Sequence, residues 1–305
     1  MIKSPGLMLM RSPSTALPTP SPRHVHFSPM DSPTGRWPAI ARVAAFWIAY
    51  LAILIVASIP KSTGMVRASI GPLQWGLTSS AALLALTLLI LKRERRSPRD
   101  IGLDLARGSV PRFLLGTLVG VATYALNIAV VAGLVGGLRA VAVPMLDGRV
   151  IALGLCTTFA LASMEELGFR GYPLRTLVSR IGFWPAQVIV AVAFACTHIA
   201  YGWSWNAVLF GVLPSAFLFG MAALASGGLA MPIGLHMGVN LARSAFGESS
   251  GGWFWNLAAE DSAGARIARV APVTGIAITV LMTLVLWWWH RETSNSAPEA
   301  RMSTS

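Results

Sequence analysis

Glu165 and Glu166 stand side by side in the stretch ASMEELGFRG, Ala162 to Gly171, and Arg170 follows Glu166 by four residues. Farther along come FACTH, Phe194 to His198, and HMGVN, His236 to Asn240. Carboxylates and imidazoles are suited to moving protons near neutral pH, and imidazole and amide N–H groups can stabilise an oxyanion as it forms. On an α-helix, Glu166 and Arg170 at i and i+4 share a face and pair, whereas Glu165 points about 100° away. Glu165 is thereby left without a built-in counter-ion, the state expected of a carboxylate that must accept a proton. His236 and Asn240, also at i and i+4, leave one face of one helix.

The elements that carry these groups are apolar. The chain has 305 residues, of which 54% are hydrophobic and only 12% charged, about half the charged fraction of a soluble domain. A helix needs about 20 apolar residues to cross the hydrocarbon core, and eight runs approach or meet that length: 42–59, 72–91, 112–136, 149–170, 183–200, 206–225, 229–246 and 271–289. The expected fold is therefore all-α, a polytopic transmembrane helix bundle. Among the 12 acidic residues only Glu165 and Glu166 fall within spans, and among the five histidines only His198 and His236 lie deep in them. Charges at membrane depth cost about 2.5–3.5 kcal/mol each on insertion scales, so each is a functional candidate.

Depth relates the candidates to one another. The fourth and fifth spans form a hairpin around Gly182, with Glu165 17 residues before it and His198 16 residues after it. At equal rise the two reach the same level and can face each other. Pro173 lies inside the first arm and could shift that register. His236 comes about 10 Å into its own span, a compatible depth. One such residue alone is commonly a packing feature; four polar elements at matched depth on three helices point to a site.

The rest of the chain frames this core. Residues 1–41, rich in Pro, Ser and Arg, are expected to be a disordered tail. Their basic, acid-poor composition also suits a transit peptide, and a start at Met30 would place the N-terminus just before the first span. Residues 42–96 hold two N-terminal spans, 97–246 the catalytic membrane core, 247–290 an outer loop and the last span, and 291–305 a second disordered tail. With eight spans both tails share a side, and 17 of the 24 Lys and Arg residues then fall on that side. Basic residues favour cytoplasmic loops, which predicts cytoplasmic termini in a bacterial plasma membrane. Trp253 and Trp255 suit the opposite interface. The net charge of +12 follows from those loops and does not indicate nucleic acid. Cys156 and Cys196, without metal or disulfide spacing, read as small buried residues.

These motifs carry a resemblance. EELGFR fits EExxxR, FACTH fits FxxxH and HMGVN fits HxxxN, in that order, and SPRDIGLD, Ser97 to Asp104, is similar to a linker before a known core domain. The chain resembles the CAAX prenyl protease and bacteriocin-processing (CPBP, or Abi) family of intramembrane endopeptidases over roughly residues 97–246. The resemblance implies a site in a cavity open to the cytoplasmic side, where Glu165 and His198 activate a water and His236 and Asn240 steady the oxyanion. Glu166, Arg170 and Phe194 would support them. It implies a hydrolase acting on a membrane-associated peptide or protein, prenylated or not. The metal-free form is favoured because no HExxH occurs and Asn240 is a poor zinc ligand; the alternative places zinc on Glu165, His198 and His236. Two other readings are a non-catalytic immunity or scaffold protein and a proton-coupled transporter.

Overall fold

The computed structural model describes residues 35–103, 108–143, 147–247, 253–260 and 263–295. Every apolar run forms a helix. In chain order these are α1 (Arg36–Ser62), α2 (Gly71–Glu94), α3 (Ser109–Val135), strand β1 (Leu138–Ala142), α4 (Gly148–Glu166), α5 (Tyr172–Ile181), α6 (Phe183–Ala200) and the short α7 (Trp205–Ala207). Then follow α8 (Leu213–Ser226), α9 (Ala230–Ala245), strand β2 (Trp255–Ala259) and α10 (Gly264–Asn295). Among the described residues seven helical segments are long and apolar enough to cross a membrane. The remaining run, α9, has 16 residues, a length of about 24 Å.

Some boundaries differ from expectation. Helix α1 begins at Arg36 rather than at 42, because Pro38 falls in the first turn, where its missing N–H costs no helical bond. The rest of that expected tail lies outside the described residues. At the other end α10 continues to Asn295 instead of stopping at 289, and residues 296–305 lie outside the described residues. Cys156 and Cys196 are exposed rather than buried. They stand on helix faces turned away from the bundle, where a small apolar side chain suits lipid as well as a core.

Two prolines that could have broken helices are absorbed by widened turns. A π-helical turn, Leu167–Gly171, precedes Pro173, and a second, Val208–Val212, precedes Pro214. The wider i→i+5 turn takes up the carbonyl that a proline N cannot serve. The chain therefore passes through both sites without a break.

Glycines set how closely the helices approach. Gly116 and Gly120 of α3 face Gly234 and Gly238 of α9 so tightly that a Cβ on any of the four would collide with a backbone carbonyl of the partner helix, those of Met231, Leu235, Phe113 and Thr117 respectively. Both helices thus carry a small-xxx-small stripe, the motif that lets membrane helices pack backbone to backbone. Residue numbers rise together along the contact, so α3 and α9 run parallel. That is what alternating passes require of the third and seventh spans, and it treats α9 as a full pass.

The two ends of the bundle differ. At the end where α2 stops, Glu94 joins Arg42 (3.3 Å), Arg96 (3.2 Å) and the Tyr172 hydroxyl (2.7 Å), and Lys92, Arg93, Arg95, Arg99 and Arg112 lie nearby in sequence. This is the basic end. At the other end β1 and β2 pair antiparallel, Leu138 opposite Ala259 through Ala142 opposite Trp255. The pairing is a small addition to an otherwise all-helical bundle, and it confirms that the α3–α4 and α9–α10 connections share one end, the sheet end. Trp253 packs there against Gly154, where a Cβ would strike its ring. Outward faces are apolar, with Ile48, Ile55, Leu118, Val273 and Trp288 all more than 60% exposed, as lipid contact demands.

Candidate active site

Helix α4 delivers the two carboxylates at its last two positions. The Glu166 carboxylate accepts from Arg170 Nη1 at 3.1 Å, and neither side chain is exposed at all. Arg170 Nη2 donates onward to the Ala216 carbonyl at 3.1 Å, and its guanidinium lies 4.3 Å from the Phe194 ring centroid. The i,i+4 pairing read from the sequence is present, and Phe194 of FxxxH forms the wall against which the arginine rests.

Glu166 has a second partner that the sequence did not reveal. His236 Nδ1 lies 2.9 Å from the same oxygen, Glu166 Oε1. An ionised carboxylate can only accept, so Nδ1–H donates. His236 is further held by Phe219, whose ring stacks on it at 4.5 Å and 18°. The HxxxN helix is thereby bolted to the EExxxR helix through Glu166.

Glu165 points elsewhere, as its helical phase requires. Its Oε2 lies 3.9 Å from His198 Nε2 and 3.7 Å from His236 Nε2, and it is buried without a hydrogen bond. His198 Nδ1 sits 3.0 Å from the Phe194 carbonyl, which again makes Nδ1 the donor. In the neutral rings both Nε2 atoms then carry lone pairs directed toward Glu165. Three acceptors face one small space.

That space opens into a cavity of about 620 Å³, whose lining includes His198, His236, Asn240, Phe219, Thr123 and Asn127. Glu165 lies behind the two imidazoles rather than in the wall. Asn240, one turn beyond His236, is part of the same lining. Helix α10 contributes Gly275 and Thr279 to the lining, so the walls extend beyond residues 97–246.

Helix α1 braces the rear of the site. Trp47 Nε1 donates to the Gly168 carbonyl at 3.2 Å, and the absence of a Cβ on Gly168 admits the Tyr50 ring. The Tyr50 and Tyr201 hydroxyls are 3.4 Å apart. Burial pushes the Tyr201 phenol above its ordinary range, and the charge of Glu165 adds to this, so the hydroxyl stays a donor. Phe219, Tyr50, Tyr201 and Trp203 carry no motif; an aromatic residue in an apolar chain is not distinguished by type, and these come together only from separate helices.

The donor set can be tested against zinc. Ligands bound about 2.0–2.1 Å from a tetrahedral zinc lie about 3.4 Å from one another, less than the 3.7 and 3.9 Å found between Glu165 and the imidazoles. Among the described residues no group of three or more His, Cys, Asp or Glu is disposed to hold a metal ion. The spacing of these three groups is wider than that of bound zinc ligands. It fits a water at ordinary hydrogen-bond distance from Glu165 and an imidazole.

All seven motif residues lie in the part of the chain for which a comparison with protein families returns a match. Residues 147–242 match the model described as type II CAAX prenyl endopeptidase Rce1-like. No curated protein and no solved structure matches the chain. A multi-pass helical bundle and the ordered motifs accompany this match: over residues 147–242 the chain is similar to the Rce1-like family of type II CAAX prenyl endopeptidases.

Proposed function

We propose that the protein is an intramembrane endopeptidase that hydrolyses a peptide bond of a membrane-associated substrate, prenylated or not, with a water activated by Glu165 and His198. The observation that carries this reading is Glu165 Oε2, buried, without a hydrogen bond and facing two imidazole Nε2 atoms. A water between Glu165 and His198 would give one proton to each acceptor, leaving its lone pair toward the cavity and the substrate carbonyl.

Charge balance assigns the remaining roles. Two carboxylates against the single Arg170 guanidinium leave the buried cluster one positive charge short, and an uncompensated buried charge is costly. A proton shared among Glu165 Oε2 and the two Nε2 atoms supplies the missing charge. Once on His236 Nε2 it becomes a donor beside the Asn240 amide, and the two can hold the oxyanion formed when water attacks. Glu165 takes the proton of the attacking water and passes it to the leaving amine. The cavity is of the size usual for ligand sites, roomy enough for a short extended segment.

The reaction so written needs no metal. With protein reconstituted in vesicles and a membrane-anchored peptide as substrate, Glu165→Gln and His198→Ala are expected to lower the rate about 10²–10⁴-fold; undiminished cleavage by both variants would sink the proposal. A strong chelator in the same assay is expected to leave the rate unchanged. Inhibition that added zinc reverses would overturn the metal-free form.

A further inference from the structure

We infer that Asn127 of α3 binds a main-chain carbonyl of the substrate about three residues from the bond that is cleaved, and that Thr274 of α10 turns the Asn127 amide to do so. Both residues lie outside the matched stretch 147–242. Naming a peptide as the occupant rests on the endopeptidase reading.

Asn127 lines the cavity together with His198, His236 and Asn240. Thr274 Oγ1 lies 2.6 Å from Asn127 Oδ1, against 3.1 and 3.2 Å from the Val270 and Ala271 carbonyls of its own helix. A hydroxyl has one proton, and the shortest of the three contacts takes it. Thr274 therefore donates to Oδ1, which makes the other end of the amide the NH2 group. Nδ2 sits beside Gly275, another lining residue, where an added Cβ would lie 3.4 Å away. Among the described residues Nδ2 has no hydrogen-bond partner. An amide N–H in an apolar bundle costs free energy until an acceptor is supplied, and an occupant of the cavity can supply it.

The neighbouring turn of α3 identifies the chemistry of that occupant. Thr123, four residues before Asn127, lines the same cavity, and its hydroxyl proton goes to the Val119 carbonyl at 2.7 Å. Thr123 has only lone pairs left to offer. A donor and an acceptor about 6 Å apart along one helix face suit an extended main chain, which presents C=O and N–H groups in turn. An acyl chain presents neither.

The distance from the bond cleaved follows from helix register. A Cβ on Gly120 would collide with the Leu235 carbonyl and crowd the Val239 N, so Gly120 stands level with His236. Asn127 is seven residues farther along α3, about 10 Å. An extended peptide covers that length in about three residues.

The test uses the full chain in vesicles with the membrane-anchored peptide. Asn127→Ala strands no partner, because the Thr274 hydroxyl has the Val270 carbonyl at 3.1 Å, so the fold is expected to be intact. Losing one neutral hydrogen bond to bound substrate is expected to raise KM about 2–10-fold and leave kcat within about twofold. Asn127→Asp replaces the donor with an acceptor and is expected to raise KM at least as much. Thr274→Val is expected to act in the same direction, with Thr274→Ser restoring the parent value. Peptides with one backbone amide replaced by an ester, two to four residues to either side of the bond, separate contact from packing. One such ester, by weakening the carbonyl that accepts from Asn127, is expected to raise KM for the parent and not for Asn127→Ala. Additive effects at every position, or an unchanged KM in both Asn127 variants, would overturn the inference. Binding of a fluorescent peptide to the Glu165→Gln protein keeps the two claims apart. A loss of affinity of about 2–10-fold on adding Asn127→Ala upholds the inference even where the parent cleaves nothing, a result that counts against the endopeptidase reading alone. No binding, or equal affinity with and without Asn127, counts against the inference itself.

Discussion

At the residue scale the two adjacent carboxylates have opposite energetics. Glu166 is bound by a guanidinium and an imidazole at 3.1 and 2.9 Å, while Glu165 Oε2 is buried with no hydrogen bond. Glu166→Gln removes one partner of a buried ion pair and strands Arg170, a change worth about 3–5 kcal/mol. Its thermal midpoint in detergent is expected to fall well below that of the parent. Glu165→Gln alters a buried carboxylate oxygen that has no hydrogen bond and is expected to hold or raise that midpoint while lowering cleavage about 10²–10⁴-fold. Equal melting of the two variants would contradict the division of roles. Asn240→Ala leaves the ion pairs untouched, so kcat is expected to drop about 10²–10³-fold with no change in melting. The i,i+4 spacing made the Glu166–Arg170 pair legible in the sequence. Nothing in it pointed to His236 as the third member, since that contact joins residues 70 positions apart.

At the element scale the site depends on helix approach and on helix phase. His236 lies between Gly234 and Gly238, the two positions at which α9 meets the α3 backbone. Gly238→Val is therefore expected to separate the helices, lowering the monodisperse fraction in size-exclusion chromatography and cleavage together. Gly133→Ala is the control, because an added Cβ there meets nothing within 4 Å; removing a mid-helix glycine is expected to change stability by at most about 1 kcal/mol, in the favourable direction. Hydropathy was enough to find the helices. It could not find the π turns at Leu167–Gly171 and Val208–Val212, because a one-residue expansion leaves the apolar pattern nearly unchanged. Yet the first of these turns explains why Pro173 does not spoil the depth match of Glu165 and His198.

At the scale of the whole molecule, the relative placement of the helix ends follows from the alternation of passes. Even alternation of passes places both described ends of the chain at the basic end, and the parallel α3–α9 contact and the β1–β2 pairing each require that alternation. Green fluorescent protein fused after Arg291 is expected to fluoresce in the cytoplasm, and alkaline phosphatase fused at the same place to be inactive; the reverse pattern would invert the molecule. Apolar length, basic loops and three short motifs are local properties, and for that reason the sequence by itself determined a multi-pass bundle, the Glu166–Arg170 pair and the candidate residues of the proposed site. The second hold on Glu166, the braces from α1 and the wall from α10 were decided only in the tertiary structure. Each depends on how far apart in the chain two backbones meet and at what rotation, which glycine contacts and π turns set and no sequence period records.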